Sequence, residues 1–391
     1  MGNTVRIGRL LGIEIRLDYS WFVVFFLVSW SLAGHYFPMA HPGRPSATYL
    51  VLGVLTAGLF FASVVVHELA HSVVSQASGT PVRDITLFIF GGVSRISQEP
   101  KRAWDELLMA LAGPAASLAL AGGFGLLWRL TEATASPVHA ATGWLAWVNG
   151  MLGLFNLIPG FPLDGGRVFR AVVWQITGDL RQATWLASRL GRAVASAFIF
   201  WGAFQVLAGS WANGLWIMFI GWFLSSAAMR SYQQVVAQEA VSGHTVREAM
   251  MTDCPCIPSR LTLEVLIDQV VLPSGQRRFL VVDDGAFLGL LTLDRIKSVP
   301  SDRRHTTRVQ DVMVPRAELE LVQAHDPLTT VLQRMADEEM DQFPVVDEGK
   351  LIGMIDRESL LTFIDFQGES RSRRGTARAL GQGQAHGRAN R

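Results

Sequence analysis

Charge and cysteine are both scarce in this 391-residue chain, and each scarcity narrows the field. Only 17% of residues are charged, and the formal net charge of +1 says little because the charges are unevenly placed. Two cysteines, Cys254 and Cys256, cannot build a disulfide framework, and an isolated C-x-C is a weak metal pattern; they read as ordinary reduced thiols of a cytosolic segment. The chain has no phosphate-binding loop, no dinucleotide fingerprint and no nucleic-acid motif, so no nucleic-acid partner is expected. No small-residue cleavage site promptly follows the first apolar stretch beyond Asp18, so that stretch reads as a retained span. What the chain does have is apolar length. Hydrophobic residues make up 50% of it, with twelve tryptophans, and residues 19–230 are almost continuously apolar, while 240–366 read as a soluble protein.

Inside the second apolar run lies His67-Glu68-Leu69-Ala70-His71. Ionisable groups are costly at bilayer depth, so their presence there points to function. Of nine histidines, only these two fall inside a long apolar run. On a helix, positions i and i+4 share a face, so His67 and His71 can grip one metal ion. Glu68 stands beside the first of them, where a carboxylate can serve as general base. The plain alternative is a pair of histidines bonded to backbone, or to each other, within a bundle.

Six candidate spans can be drawn, at about 20–37, 50–75, 104–128, 141–159, 186–208 and 212–230, each near the ~20 residues that cross a hydrocarbon core. Basic residues alternate between their connections. Arg6, Arg9 and Arg16 precede the first span. Arg83, Arg95, Lys101 and Arg102 follow the second, Arg167, Arg170, Arg181, Arg189 and Arg192 follow the fourth, and Arg230 follows the sixth. The intervening connections carry only Arg44. The positive-inside rule then puts both termini in the cytosol of a multi-pass cell-membrane protein.

A catalytic zinc site takes three protein ligands and leaves a position open. The second polar interruption of the membrane half runs Asn156-Leu-Ile-Pro-Gly-Phe-Pro-Leu-Asp164-Gly-Gly-Arg167. Pro159 and Pro162 cannot continue a helix, and Gly165-Gly166 is expected to permit a sharp turn. Broken backbone at membrane depth must be buried in protein or line a wet cavity. Asp164 is therefore a candidate third ligand, its plain alternative being a helix N-cap. Depth agrees, since His67 and His71 lie roughly 25–32 Å along a helix from residue 50 at a 1.5 Å rise, and Asp164 is about as far from residue 141.

Taken together, HELAH in one span and NLIPGFPLDGGR in a later one resemble the site-2 protease family of intramembrane zinc metalloproteases. The resemblance covers about residues 5–230, including LGIEIRLDYSW before the first span and ALAGPAASL in the third. It implies one Zn2+ per chain held by His67, His71 and Asp164, with Glu68 as the catalytic carboxylate and Asn156 helping to hold substrate or oxyanion. It implies cleavage of a transmembrane helix of a single-pass membrane protein, in or near the bilayer. Such a helix must be locally unwound before it can be cut. Residues 82–96 read as a short hairpin, with Ile85, Leu87 and Ile89 alternating and Gly91-Gly92 making a turn or bend. Its edge could take an extended substrate by strand addition, which makes Gly91 and Gly92 candidate substrate-binding residues.

The soluble half repeats itself. FLVVDDGAFLGLLTLDRI from Phe279 and FPVVDEGKLIGMIDRESL from Phe343 agree at six of eighteen positions, and Val246-REAM and Val309-QDVM echo each other ahead of them. Asp-Gly and Glu-Gly between apolar runs are hairpin signals. The pattern resembles a tandem pair of cystathionine-β-synthase (CBS) domains, which implies a regulatory or docking module, a homodimer contact, or adenine-nucleotide binding. The ribose-binding pattern Gly-x-x-Thr/Ser-x-x-Asp is altered to Gly289-x-x-Thr292-x-x-Arg295 and Gly353-x-x-Asp356-x-x-Ser359, so a standard adenosine site is not expected. The last 25 residues hold six arginines and one acid and cannot form a core.

The expected architecture is a polytopic α-helical membrane protein of six transmembrane helices, discontinuous around the fourth, followed by a cytosolic α/β tandem CBS module. Its segments are 1–232 for the intramembrane metalloprotease, 244–300 and 308–366 for the two CBS domains, and 367–391 for a disordered basic tail. The rival reading is a CBS-gated channel or transporter whose histidines line an ion path, but the two sets of three spans show no internal repeat.

Overall fold

The structure is a computed structural model that describes residues 4–89, 91–96, 100, 102–134, 136–337 and 342–366. Lys101 and the basic tail therefore lie outside the described residues. The chain divides into two compact units, Met1–Val235 and Val236–Arg391.

The first unit holds eight helices among its described residues. They are α1 (Tyr19–Ser31), α2 (Phe37–Ala40), α3 (Ser46–Ala77), α4 (Ala103–Leu130), α5 (Pro137–Asn156), α6 (Asp164–Thr177), α7 (Leu180–Leu207) and α8 (Trp211–Val241), the last reaching into the second unit. A π-helical turn, Leu32–Tyr36, joins α1 to α2. Among the described residues, five helical stretches are long and apolar enough to cross a membrane: Tyr19–Ala40, Ser46–Ala77, Ala103–Leu130, Leu180–Leu207 and Trp211–Val241. The expected fourth span appears as α5, but it is not among the five. It carries His139, Thr142, Asn149 and Asn156, which lower its mean hydropathy. The expected sixth span, drawn to 230, lies within α8, which stays helical to Val241.

The N-terminal residues, read from sequence only as a lead into the first span, form β1 (Thr4–Leu10) and β2 (Ile13–Asp18). Leu11 and Gly12, both at positive φ, turn one into the other. The expected hairpin at 82–96 is present as β3 (Val82–Phe88) and β4 (Gly91–Ile96). The sheet order is β1-β2-β3-β4, with β2 and β3 parallel and both outer pairings antiparallel. Alternation sets its inner face. Ile13, Leu17, Val82, Ile85 and Leu87 are buried against Val64 of α3, with Phe60 and Leu69 alongside, whereas Ile89 is exposed. Leu69 belongs to the HELAH motif, so the sheet is seated directly on the helix that carries the histidines.

Helix α4 is the hub of the unit, packing on α3, α5 and α6. Pro114 lies inside it. A proline within a helix removes one ladder bond and opens the preceding turn, which membrane proteins tolerate when another partner takes the freed carbonyls.

The second unit carries the repeat as two hairpins. The first is β6 (Arg278–Asp283) with β7 (Ala286–Thr292), in a sheet ordered β5-β6-β7-β8 with β5 (Cys256–Ile257) and β8 (Val314–Pro315). The second is β10 (Gln342–Asp347) with β11 (Lys350–Asp356), beside β9 (Val322–Gln323). Both hairpins turn on residues of positive φ, Asp284-Gly285 and Glu348-Gly349, as the dipeptides predict. Both shift register at the same place, Val281/Val282 and Val345/Val346. Their cores are exchanged. Val246 and Arg247 donate backbone bonds to Asp326 and Ala324, while Val309 and Gln310 donate to Leu261 and Ser259. Val246 and Ala249 thus complete the core around Phe343, and Val309 completes the core around Phe279.

Candidate metal centre

His67 and His71 are buried one turn apart on α3, with Nδ1 and Nε2 turned to different tasks. The Nδ1 of His71 donates to the Met109 carbonyl on α4 at 2.6 Å. The Nδ1 of His67 meets the Ser117 hydroxyl at 2.9 Å. With both Nδ1 atoms so engaged, the two Nε2 atoms are turned inward. These point at each other across 3.2 Å, and each stands 3.2 Å from Oδ2 of Asp164. Such a set of atoms is held together either by shared protons or by a cation. His67, His71 and Asp164 form one potential metal-holding group.

The spacing fits zinc. Bonds of about 2.0–2.1 Å at a tetrahedral angle set donor atoms roughly 3.3 Å apart. Space is also reserved. A Cβ on Gly113 of α4 would fall 2.6 Å from Cε1 of His71 and 2.7 Å from Nε2 of His67, overlapping Nε2 of His71 as well. Glycine therefore keeps open the volume between the donor nitrogens.

Asp164 reaches the histidines from a different helix. It is the first residue of α6 rather than its N-cap, which is Leu163, so the plain capping alternative is not what the structure has. Gly165 and Gly166 do not make a sharp turn either. They lie within the first turn of α6, where a Cβ would run into the carbonyls of Leu157 and Ile158 and the backbone of Gly160 and Phe161. Their role is close approach, not positive φ. The broken segment is anchored to α7, with the Phe161 N–H donating to the Ala187 carbonyl at 3.3 Å. Arg170, counted from sequence among the loop charges, is instead buried against Glu106 of α4.

Glu68 is half-buried beside His67, and its side chain borders Gly92 of β4. A Cβ on that glycine would come 2.8 Å from Cδ and 3.0 Å from Oε1. Gly91 begins the same strand at a φ of 128°. Asn156 closes α5 at the start of the break. The residues missed from sequence are those on α4: Met109, Gly113 and Ser117. Their spacing of four along one helix face was legible within MALAGPAASL, but not what that face meets.

Two helix-borne imidazoles, an aspartate from a second helix and a glutamate alongside define a metal-dependent hydrolase. The comparisons agree. Residues 55–132 and 126–198 match the model of peptidase family M50, and residues 246–302 and 309–365 match that of the CBS domain. A Mycobacterium tuberculosis relative bearing the name zinc metalloprotease Rip3 is 36% identical, over 93% of this chain and 94% of its own. Zinc metalloprotease MJ0392 of Methanocaldococcus jannaschii is 27% identical over 92% of this chain and 96% of its own. A solved site-2 protease from Methanocaldococcus jannaschii is 26% identical, covers 59% of this chain and 95% of its own, and superposes with a TM-score of 0.40. The chain belongs to peptidase family M50, the site-2 protease family of zinc metalloproteases, and carries a tandem CBS module.

Proposed function

We propose that the protein is an intramembrane endopeptidase that cleaves transmembrane segments of single-pass membrane proteins in regulated intramembrane proteolysis. One zinc ion per chain is held by His67, His71 and Asp164. The observation that carries this reading is the convergence of His67 Nε2, His71 Nε2 and Asp164 Oδ2 at 3.2 Å around the space that Gly113 leaves open. Bound zinc supplies Lewis-acid polarisation of the scissile carbonyl and acidifies water to a pKa near 7. Glu68 takes the proton of the attacking water and returns it to the leaving amine. His67 and His71 are kept in the ligating tautomer by Ser117 and Met109. Strand β4 is an edge of its sheet and runs past Glu68 at Gly92, so an extended substrate segment pairs with it, Gly91 and Gly92 keeping the approach free of side chains. Asn156 holds the substrate or its oxyanion from the end of α5.

On this reading six helices cross the bilayer, α5 included, with both termini cytosolic. The CBS module then acts on substrate access or docking rather than on the zinc chemistry, and joins chains into a homodimer. Nucleotide control is not expected. The Asp356 carboxylate accepts from the Ser359 N–H at 2.7 Å and is paired with Arg278, so it is already engaged within the module.

The test is a membrane-proteome comparison between wild type and Glu68→Gln. Uncut transmembrane fragments should accumulate in the variant, which still binds zinc because Glu68 is not a ligand. Identical proteomes, or full activity in Asp164→Ala, would defeat the reading.

A further inference from the structure

We infer that the buried Glu106–Arg170 ion pair positions Asp164, so that α4, which contributes no ligand, sets the geometry of all three. The inference rests on the zinc reading above. Glu106, Met109, Gly113 and Ser117 follow one another at steps of three, four and four, which places them along one face of α4. The whole face is buried. Ser117 meets His67, the Met109 carbonyl meets His71, and Gly113 leaves the room between them. Glu106 completes the series by holding the helix that starts at Asp164.

The grip is specific. Nε of Arg170 donates to Oε1 of Glu106 at 2.6 Å, and Nη2 contacts the same oxygen. The guanidinium carbon lies 5.2 Å over the ring of Phe161, a cation–π distance. Phe161 is itself in the broken segment, three residues before Asp164, and is tied to α7 through Ala187. One cation thus fastens α6 to α4 while bracing the segment that precedes the ligand. A planar fork held by a carboxylate orients more tightly than an apolar contact does. Metal sites demand donor positions within about 0.2 Å. Apolar residues of similar volume would often stabilise such a place as well as a buried ion pair, which argues that the pair serves orientation.

The test measures zinc affinity in the full-length, detergent-solubilised protein by chelator competition, together with the absorption spectrum after cobalt substitution. The variants are Glu106→Gln, Arg170→Lys and the double apolar change Glu106→Leu with Arg170→Met. Zinc binding should weaken about 10- to 100-fold in Glu106→Gln and in the double variant, as for other groups that orient metal ligands. The cobalt bands should shift, and Arg170→Lys, which keeps the charge but loses the fork, should fall between. A purely structural pair predicts that the double variant, once folded, binds zinc and cobalt as wild type does, and that result would overturn the inference. If Glu106→Gln does not fold, the double variant decides, and if that also fails, Arg170→Lys decides by the same two readouts. Wild type without zinc would instead defeat the metal reading itself, so the two failures are distinguishable.

Discussion

Replacing Gly113 with alanine adds one methyl group to a helix that supplies no ligand, yet it should weaken zinc binding. The new Cβ would sit 2.6 Å from Cε1 of His71 and 2.7 Å from Nε2 of His67. Carbon normally approaches other heavy atoms at about 3.5–4.0 Å, and Nε2 of His71 is nearer still, so more than about 1 Å must be found. Withdrawal of α4 would stretch the bonds from Met109 and Ser117 that hold the two imidazoles. Displacement of the imidazoles would pull Nε2 out of register with Asp164. Overpacking of this kind costs about 1–3 kcal/mol. Taken up at the ligands, and at about 1.4 kcal/mol per tenfold change, that weakens zinc binding by about 5- to 150-fold. Chelator competition in detergent reads the affinity, and cleavage of a membrane substrate reads the consequence. Gly122→Ala and Gly123→Ala on the same helix are the controls, because a Cβ at either meets nothing within 4 Å. Wild-type zinc affinity in Gly113→Ala, or an equal loss in the controls, would refute the reasoning.

Thiol reactivity should separate the two cysteines. Burial pushes the Cys254 thiol up to about 11, so at pH 8 only about one part in a thousand is thiolate, while Cys256 is exposed. Brief alkylation followed by peptide mapping should mark Cys256 first, and the Cys254 rate should climb as the pH rises toward 11. For topology, cysteines introduced at 40–46 and 133–138 should react with an impermeant reagent from outside, and native Cys254 and Cys256 only after the membrane is opened; external labelling of the latter pair would invert the assignment. Deleting 244–391 should change which substrates are cut, or how fast, while zinc stays bound. Calorimetry of the full-length protein with ATP, ADP, AMP and S-adenosylmethionine should show weak or absent binding, and a micromolar dissociation constant for any of them would make the CBS module a nucleotide sensor.

What the sequence determined on its own is what depends on neighbours along the chain. An i, i+4 pair of histidines shares a helix face wherever that helix goes, so His67 and His71 were legible as a pair. Long apolar runs foretold membrane helices, the 82–96 alternation foretold a hairpin, and Asp-Gly and Glu-Gly foretold two more, because positive φ is a local demand. Asp164 was legible as a polar residue in a proline-broken segment. Tertiary structure decided whatever depends on which surfaces meet. That Gly165 and Gly166 serve close approach rather than a turn is visible only once Leu157 and Phe161 lie against them. Arg170 looks like any loop arginine until Glu106, 64 residues away in sequence, takes its charge. The β1–β2 pair reads as a lead into the first span until β3 pairs with it across two apolar helical stretches. The CBS repeats look self-contained, yet each lends its leading segment to the other's core. The face of α4 that orders the metal centre has the composition of any small-residue membrane helix, because its meaning lies in the α3 and α6 residues that meet it.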